Sequence, residues 1–524
     1  MVSTQGFCSQ EDIVGDIAQE GATIIASQEG KISSNERFIT ALKKIPLWKK
    51  AAIGTCAACI MGIVSWRLFS SLNLTAHEPI EPPFNPKPFA DRMRRDTYPT
   101  LKQPAQETFE SIHEKTKQFN DQICKFPTKN NLPEAIAGGS LGKQKTIAIQ
   151  ANTTRPIIHR ETLTLMQGYL ERKRTIGNDR EKTFYAQMTV YQFIDRLLTK
   201  RPIVFMGAND YFLLKKEHRS KSIDKDEVIK EHDNFEAIGT KKELDPITLE
   251  NYLSYDEMQI SALIGVSVPT YFINNGSRTN NATPGKLDTY QQEGVYIGLV
   301  GARFEKPGLM EDAHIIRHKD TQRNKIHATE WQKFYENKGP EICIPIHDKL
   351  VFDCNVYKKR MRAVIEPYLL EANLRGIEAK KQVYCHVVGL GLGVWQKRPE
   401  QGRMMLEVYK ELLEWHKLDH ISDINFSWFP DNAQSITIDA PFNHRIKTHF
   451  SKRAPADKLV GDDENKLLVA MYAWDGNSYP GNEYWIEALS ASGDPAAACC
   501  STIAWMQNPD INSNVCGTNV KSYP

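Results

Sequence analysis

No basic stripe runs through this sequence. Its 66 lysines and arginines are set against 64 acidic residues, leaving a formal charge of +2, and no stretch concentrates it. The electrostatic footprint of a nucleic-acid binder is therefore missing. Metal-type cysteine pairing is missing too. Ten cysteines are scattered, and Cys56 and Cys59, spaced C-x-x-C, lie in an apolar run with no second pair. That argues against a zinc module or a redox motif, and the adjacent Cys499 and Cys500 read as helix core. Thiols used this way suit a reducing compartment. No charged-then-apolar pattern follows Met1, because residues 1–40 are polar, so a cleaved secretory signal is not expected.

Long apolar runs are scarce. Ala51–Trp66 comes nearest, preceded by Lys43, Lys44, Lys49 and Lys50, broken by Arg67 and continued by Leu68–Leu74. It falls short of the roughly 20 apolar residues that a spanning helix needs, and Ala, Gly and Cys dilute it. Two readings stay open for 51–74. It is either a membrane anchor, with the N-terminus on the cytoplasmic side, or a helix packed on the domain or on a partner. A Pro-rich spacer, Glu78–Pro88, follows.

What is present is ordinary for a globular protein: 41% hydrophobic and 25% charged residues in 524. That length holds one large catalytic domain with appendages, or two to three ordinary domains. The expected organisation is a polar N-terminus with the apolar helix over 1–77 and a linker over 78–104. A helical region over 105–200 and an α/β domain over 201–524 complete it. Asp91–Lys125 reads as helix with a wet face. Arg160–Lys200 is more strongly periodic, with Leu163, Leu165, Met166, Tyr169 and Leu170, then Tyr185, Met188, Tyr191, Phe193 and Leu197. Pro202–Phe212 reads as a strand with a turn at Gly207–Asp210. Lys215–Lys242 reads as a solvated insertion.

The most informative stretch is Lys381–Trp395. Val383–Val388 has the composition of a buried strand and runs into three alternate glycines, Gly389, Gly391 and Gly393. Glycines there either form a tight turn at packing contacts or bare the backbone N–H groups to an anion, for which diphosphate is the usual guest. The Gly-x-Gly-x-Gly spacing, followed by Trp395, is a poor fit to the dinucleotide fingerprint Gly-x-Gly-x-x-Gly. A different diphosphate carrier fits better.

Around it the pattern is strand, helix, strand. Val266–Ile273 reads as a strand leaving through Asn274, Asn275, Gly276 and Arg278, which suit either a ribose or phosphate or an ordinary polar turn. Gly294–Phe304 reads as a strand leading to a helix near Leu309, with Glu311 in its first turn. A strand at Lys349–Asp353 precedes a helix at Tyr357–Gly376, for which Gly376 is a natural stop. Arg403–Leu418 reads as an amphipathic helix, Ile421–Phe429 and Lys466–Trp474 as strands, and Asp494 as the N-cap of a last helix with Pro495 at its first position. Parallel crossovers and an α/β layered sheet follow. Ligands of such sheets lie beyond the strands' carboxyl ends, a rule that places Gly389–Trp395, Asn274–Arg278 and the region after Phe429 on one rim. Asp423, Asp431 and Asp439 supply carboxylates there, able to activate water at an anomeric carbon or to serve as plain turn residues.

Four stretches carry a resemblance: Ile273–Arg278, Val300–Glu311, Val387–Gln396 and Ala473–Trp485. In this order they resemble the MavL-type macrodomains of intracellular bacterial effectors, which are similar to poly(ADP-ribose) glycohydrolases, over about residues 155–510. The Gly-Gly-Gly and Gln-Glu-Glu signature of the glycohydrolases is absent, so cleavage of the polymer is not implied. The resemblance implies a macrodomain-like α/β/α sheet, ADP-ribose binding, and hydrolysis of ADP-ribose from an arginine of ubiquitin. The implied location is a host cytoplasm reached by a secreted bacterial effector, with membrane association through 51–74 left open. The expected ADP-ribose site comprises Asn275, Gly276, Arg278, Gly389, Leu390, Gly391, Leu392, Gly393, Val394, Trp395, Asp475 and Asn477. The expected catalytic carboxylates are Asp423, Asp431, Asp439 and Glu311. No metal or cofactor is expected. ADP-ribosylated ubiquitin or another modified protein is the expected partner, with a ubiquitin-conjugating enzyme as a further candidate. The rival readings are a non-catalytic ADP-ribose reader, a ubiquitin-pathway interaction module, and a membrane-tethered platform.

Overall fold

The structure is a computed structural model that describes residues 101–123, 127–207, 211–218, 235–321, 328–336, 339–430 and 446–524. The apolar stretch 51–74, most of the linker 78–104, Asp210, Asp431 and Asp439 lie outside the described residues. The described residues belong to one compact unit. Thirteen strands are described: β1 (Arg155–His159), β2 (Val204–Met206), β3 (Tyr211–Leu213), β4 (Ile264–Tyr271), β5 (Glu293–Leu299), β6 (Ile316–His318), β7 (Cys343–His347), β8 (Leu350–Asp353), β9 (Val383–Val388), β10 (Ile421–Ser427), β11 (Lys447–Ser451), β12 (Leu467–Ala473) and β13 (Lys521–Tyr523).

Eight strands build the main sheet, in the order β11-β10-β9-β12-β5-β4-β1-β13. From β11 to β5 every neighbour pair is parallel, so five carboxyl ends gather on one rim. β12 inserts between β9 and β5, although it follows both in sequence. The fold is α/β, as the alternation of elements predicts.

β4 breaks the parallel run. It is antiparallel to both β5 and β1, with Tyr271 opposite Glu293 at the very start of β5. This corrects the expectation of a shared rim: Asn274–Arg278 leave β4 at the amino-terminal end of the parallel strands, away from the glycine loop. Hydrophobic pattern reports burial but carries no strand direction. The region 105–200 is mainly helical but also contributes β1 to the sheet, between β4 and β13. Pro202–Phe212 is two short antiparallel strands rather than one, and the expected strand at Lys349–Asp353 is β8, in a separate three-stranded sheet.

Helices cover both faces, as the alternation of side chains along β4 shows. Ser267 accepts from Arg375 of helix Cys354–Ala379 on one face, and Thr270 bonds Thr502 on the other. Helix Cys354–Ala379 starts where Asp353 accepts from the Val356 N–H at 3.1 Å. It runs past Gly376 and ends at Lys380 in the left-handed conformation, φ 54°. Gly376 serves packing instead: a Cβ there would meet Val383 Cγ2 at 2.7 Å and His420 Cβ at 2.8 Å. The expected final helix is Gly493–Cys500, followed by a short helix at Ile503–Met506; its N-cap is Ser492 rather than Asp494, which instead accepts from the N–H groups of Gly481 and Asn482. No helix among the described residues is long and apolar enough to cross a membrane.

Candidate active site

Immediately past β9 the chain folds into the glycine loop. Leu392 N–H donates to Gly389 O at 3.2 Å, Gln396 N–H donates to Gly393 O at 3.1 Å, and Gly391 sits at φ 71°, a conformation that favours glycine. The loop is pressed against its neighbour after β5. A Cβ on Gly301 would lie 2.6 Å from the Gly391 nitrogen, and one on Gly391 would lie 3.0 Å from Ala302 O. Gly393 has open space in front of it, and Val394 is 95% exposed. Among the described residues the N–H groups of Gly391, Gly393 and Val394 have no acceptor. Unpaired amides on one turn at the mouth of a strand are able to take an anion.

Beside the glycine loop, the loops after β5 and β12 supply charge. Buried Arg303 lies 4.7 Å from the Trp395 ring, donates to Asp475 O at 3.0 Å, and pairs with Glu305. Burial pushes the Glu305 carboxyl up, but Arg303, with help from Trp395 and the Gly207 amide, holds it below its ordinary value. Asp475 goes the other way: burial raises it, and Arg303 offsets only part of the effect. Its Oδ1 accepts from the Asn477 and Ser478 N–H groups, so it shapes the turn. Asn477 is fully buried, and neither side-chain amide atom has a partner among the described residues.

Glu311 is fully buried and accepts from Arg360 Nε at 2.7 Å. Arg360 also donates to the carbonyls of Ala262, Val300 and Gly301. The pair therefore fixes the turn on which the glycine loop rests. Glu311 Oε2 has no partner among the described residues.

Several expected residues are not brought to this rim. Asn275 is held in its own turn, accepting from Ser277 N–H and Asn280 Nδ2 and donating to Asp457. Gly276 donates to Asn274 Oδ1 at 2.9 Å and Arg278 is exposed. Asp423 lies opposite Tyr384 near the amino ends of β9 and β10. Its carboxylate takes His449 Nε2 at 2.9 Å, Lys466 Nζ and Ser422 Oγ. Burial opposes its ionisation, but these three partners prevail and keep its pKa well below the usual carboxylate range. The structure thus gathers Gly389–Trp395, Asp475, Asn477 and Glu311, and separates Asn275, Gly276, Arg278 and Asp423 from them. Sequence reading gave no role to Arg303, Glu305 or Arg360; an arginine just past an apolar strand, two residues before an acid, was the available signal.

A cleft of about 1020 Å³ opens elsewhere, between helix Arg160–Ile176 and helix Thr329–Phe334. None of the rim residues lines it, and its Arg172 and Glu330 are paired with each other, so the rim remains the site its chemistry supports.

Comparison with known proteins bears on the family of the chain. A family model described as "ADP-ribosylhydrolase MavL-like" matches residues 110–522. The chain is 38% identical over 401 residues to ADP-ribosylarginine hydrolase CG3568 of Drosophila melanogaster, covering 69% of this chain and 76% of the relative. It is 36% identical over 401 residues to ADP-ribosylarginine hydrolase CG2909 of the same organism, covering 69% and 77%. The protein is an ADP-ribosyl hydrolase and belongs to the MavL-like ADP-ribosylhydrolase family.

Proposed function

We propose that the chain hydrolyses the N-glycosidic bond joining ADP-ribose to an arginine side chain of a modified protein. The observation that carries this reading is the glycine loop, whose Gly391, Gly393 and Val394 N–H groups have no acceptor among the described residues. Those amides would take the diphosphate, and Trp395, held beneath Arg303, would wall the adjoining ribose. Asn477 would offer its unpartnered amide to the same ligand.

In the reaction, water adds to the anomeric carbon and the carbon–nitrogen bond breaks. The electron pair stays on the guanidine nitrogen, which takes up a proton while the attacking water gives one up, so ADP-ribose leaves and the protein's arginine side chain is restored. Asp431 and Asp439, on the segment leaving β10, are the carboxylates proposed to position the water. Glu311 supports the rim through Arg360. The names of the two Drosophila relatives support arginine as the linkage. A macrodomain-type binding mode, ubiquitin as the modified protein and a bacterial effector acting in a host cell are finer elements of the proposal; they rest on the family resemblance.

The test is release of ADP-ribose from arginine-linked mono-ADP-ribosylated protein, ubiquitin included, with serine- and glutamate-linked substrates alongside. Release from the arginine-linked substrate is expected. Its absence, with ADP-ribose still bound, would leave a reader rather than an arginine-specific hydrolase.

A further inference from the structure

Trp428 is the first residue past β10, and Gly389 is the first past β9, after the final pair of the two strands, Ser427 with Val388. It is 62% exposed. Its backbone lies at φ 61°, a left-handed conformation that is a genuine outlier for a bulky residue. The turn has a structural purpose, because it lets Phe429 bury itself against Phe426 at 5.4 Å. Glycine would make that turn without strain; this chain places an indole there. The ring is also fixed. Trp428 N–H donates to Ser451 O at 2.9 Å and its indole N–H donates to Arg453 O at 3.3 Å. Lys452 Nζ lies 5.9 Å from the ring centroid, so the ring already draws a cation.

We propose that Trp428 is a specificity-determining residue whose indole stacks on the guanidinium of the ADP-ribosylated arginine, the part of the substrate that belongs to the acceptor protein. The inference rests on the arginine-linked reading given above and deepens it. A nucleotide seated on the glycine loop is held by main-chain N–H groups of the enzyme itself. The acceptor arrives from solvent on another protein, so the group that recognises it has to be exposed and rigid. A guanidinium is planar and cationic and stacks on indole faces. It would take the place of the solvent-borne Lys452 ammonium.

The experiment compares the full-length wild type with Trp428→Gly, Trp428→Leu and Trp428→Phe. The substrate is an arginine-linked mono-ADP-ribosylated peptide, and free ADP-ribose affinity is read by calorimetry. Glycine suits the backbone at 428, so Trp428→Gly is expected to fold, and Trp428→Leu keeps bulk without a π face. Both are expected to lose about threefold to thirtyfold in kcat/KM, chiefly through KM, with the affinity for free ADP-ribose unchanged. Trp428→Phe is expected to recover most of the loss. Unchanged kcat/KM in the Gly and Leu variants of an active enzyme would overturn the proposal. So would a parallel loss of ADP-ribose affinity, which would put the ring on the nucleotide. A wild type that binds ADP-ribose but leaves the arginine linkage intact would remove the parent reading and this one with it.

Discussion

Gly301 and Gly391 meet backbone to backbone: a Cβ on Gly301 would come within 2.6 Å of the Gly391 nitrogen and 2.8 Å of Leu390 O. Neither loop has a flexible side chain at the contact to give way, so added bulk must move a main chain. The shape of the glycine loop therefore depends on a residue outside it.

Gly301→Ala is the direct probe of that dependence. Overpacking of this kind costs about 1–3 kcal/mol. If the displaced loop is what holds the diphosphate, ADP-ribose affinity should fall by roughly fivefold to a hundredfold. Calorimetry with free ADP-ribose measures it. Gly493→Ala is the control, since nothing lies within 4 Å of a Cβ there and the residue lies outside the glycine loop, so its affinity should change far less.

Glu311 and Arg360 are both fully buried. Removing one charge strands the other, and breaking such a pair costs about 3–5 kcal/mol. Glu311→Gln should therefore lower the unfolding midpoint in urea markedly. Replacing both residues, as in Glu311→Gln with Arg360→Met, should recover part of the loss. A Glu311→Gln protein of unchanged stability but greatly reduced turnover would move Glu311 from support into the chemistry.

Local pattern made much of this molecule legible. β9 falls where its Val-rich run predicts, and the helix after Asp353 was readable from its apolar spacing, though its stop is Lys380 rather than the expected Gly376. What stayed hidden depends on partners far apart in sequence. β1 is a strand because β4 and β13, the latter at the far end of the chain, flank it. The reversed direction of β4, which carries Asn275 and Arg278 away from the rim, leaves no trace in alternation. Asp423 reads the same whether its neighbour is a substrate or Lys466, and only the fold brings Lys466 to it. The glycine loop was legible because positive φ and exposed amides demand glycine locally. Arg303 and Arg360 were not, because nothing in their own segments states what they hold.

Asp423→Asn follows from that last contrast. The carboxylate is buried and shared by Lys466, His449 and Ser422 near the amino ends of the strands. Losing its charge should cost on the order of 2 kcal/mol of stability, the scale of hydrogen bonds to charged groups, and lower the melting temperature. Turnover per folded molecule should be close to wild type at a temperature where both proteins are folded. A fall of a hundredfold or more at full folding would restore Asp423 to the reaction.

Glu366 gives the chain an acid-sensitive joint. It is buried and accepts from His159 Nε2 at 3.0 Å, His416 Nε2 at 2.6 Å and Arg362 Nε at 2.8 Å, tying helix Cys354–Ala379 to β1 and to the segment after helix Gln401–Trp415. Burial alone would raise its pKa from the ordinary 4.5, but the three donors outweigh it and bring the value down to about 2. A carboxylate with a depressed folded-state pKa stabilises the fold fully above its unfolded value and loses that contribution as pH falls through the folded one. The melting temperature should therefore drop as pH goes from about 4.5 toward about 2. Glu366→Gln should be less stable than wild type at neutral pH, with the gap narrowing across that same acid window. Parallel melting curves for the two proteins from neutral pH downward would show the joint to be absent.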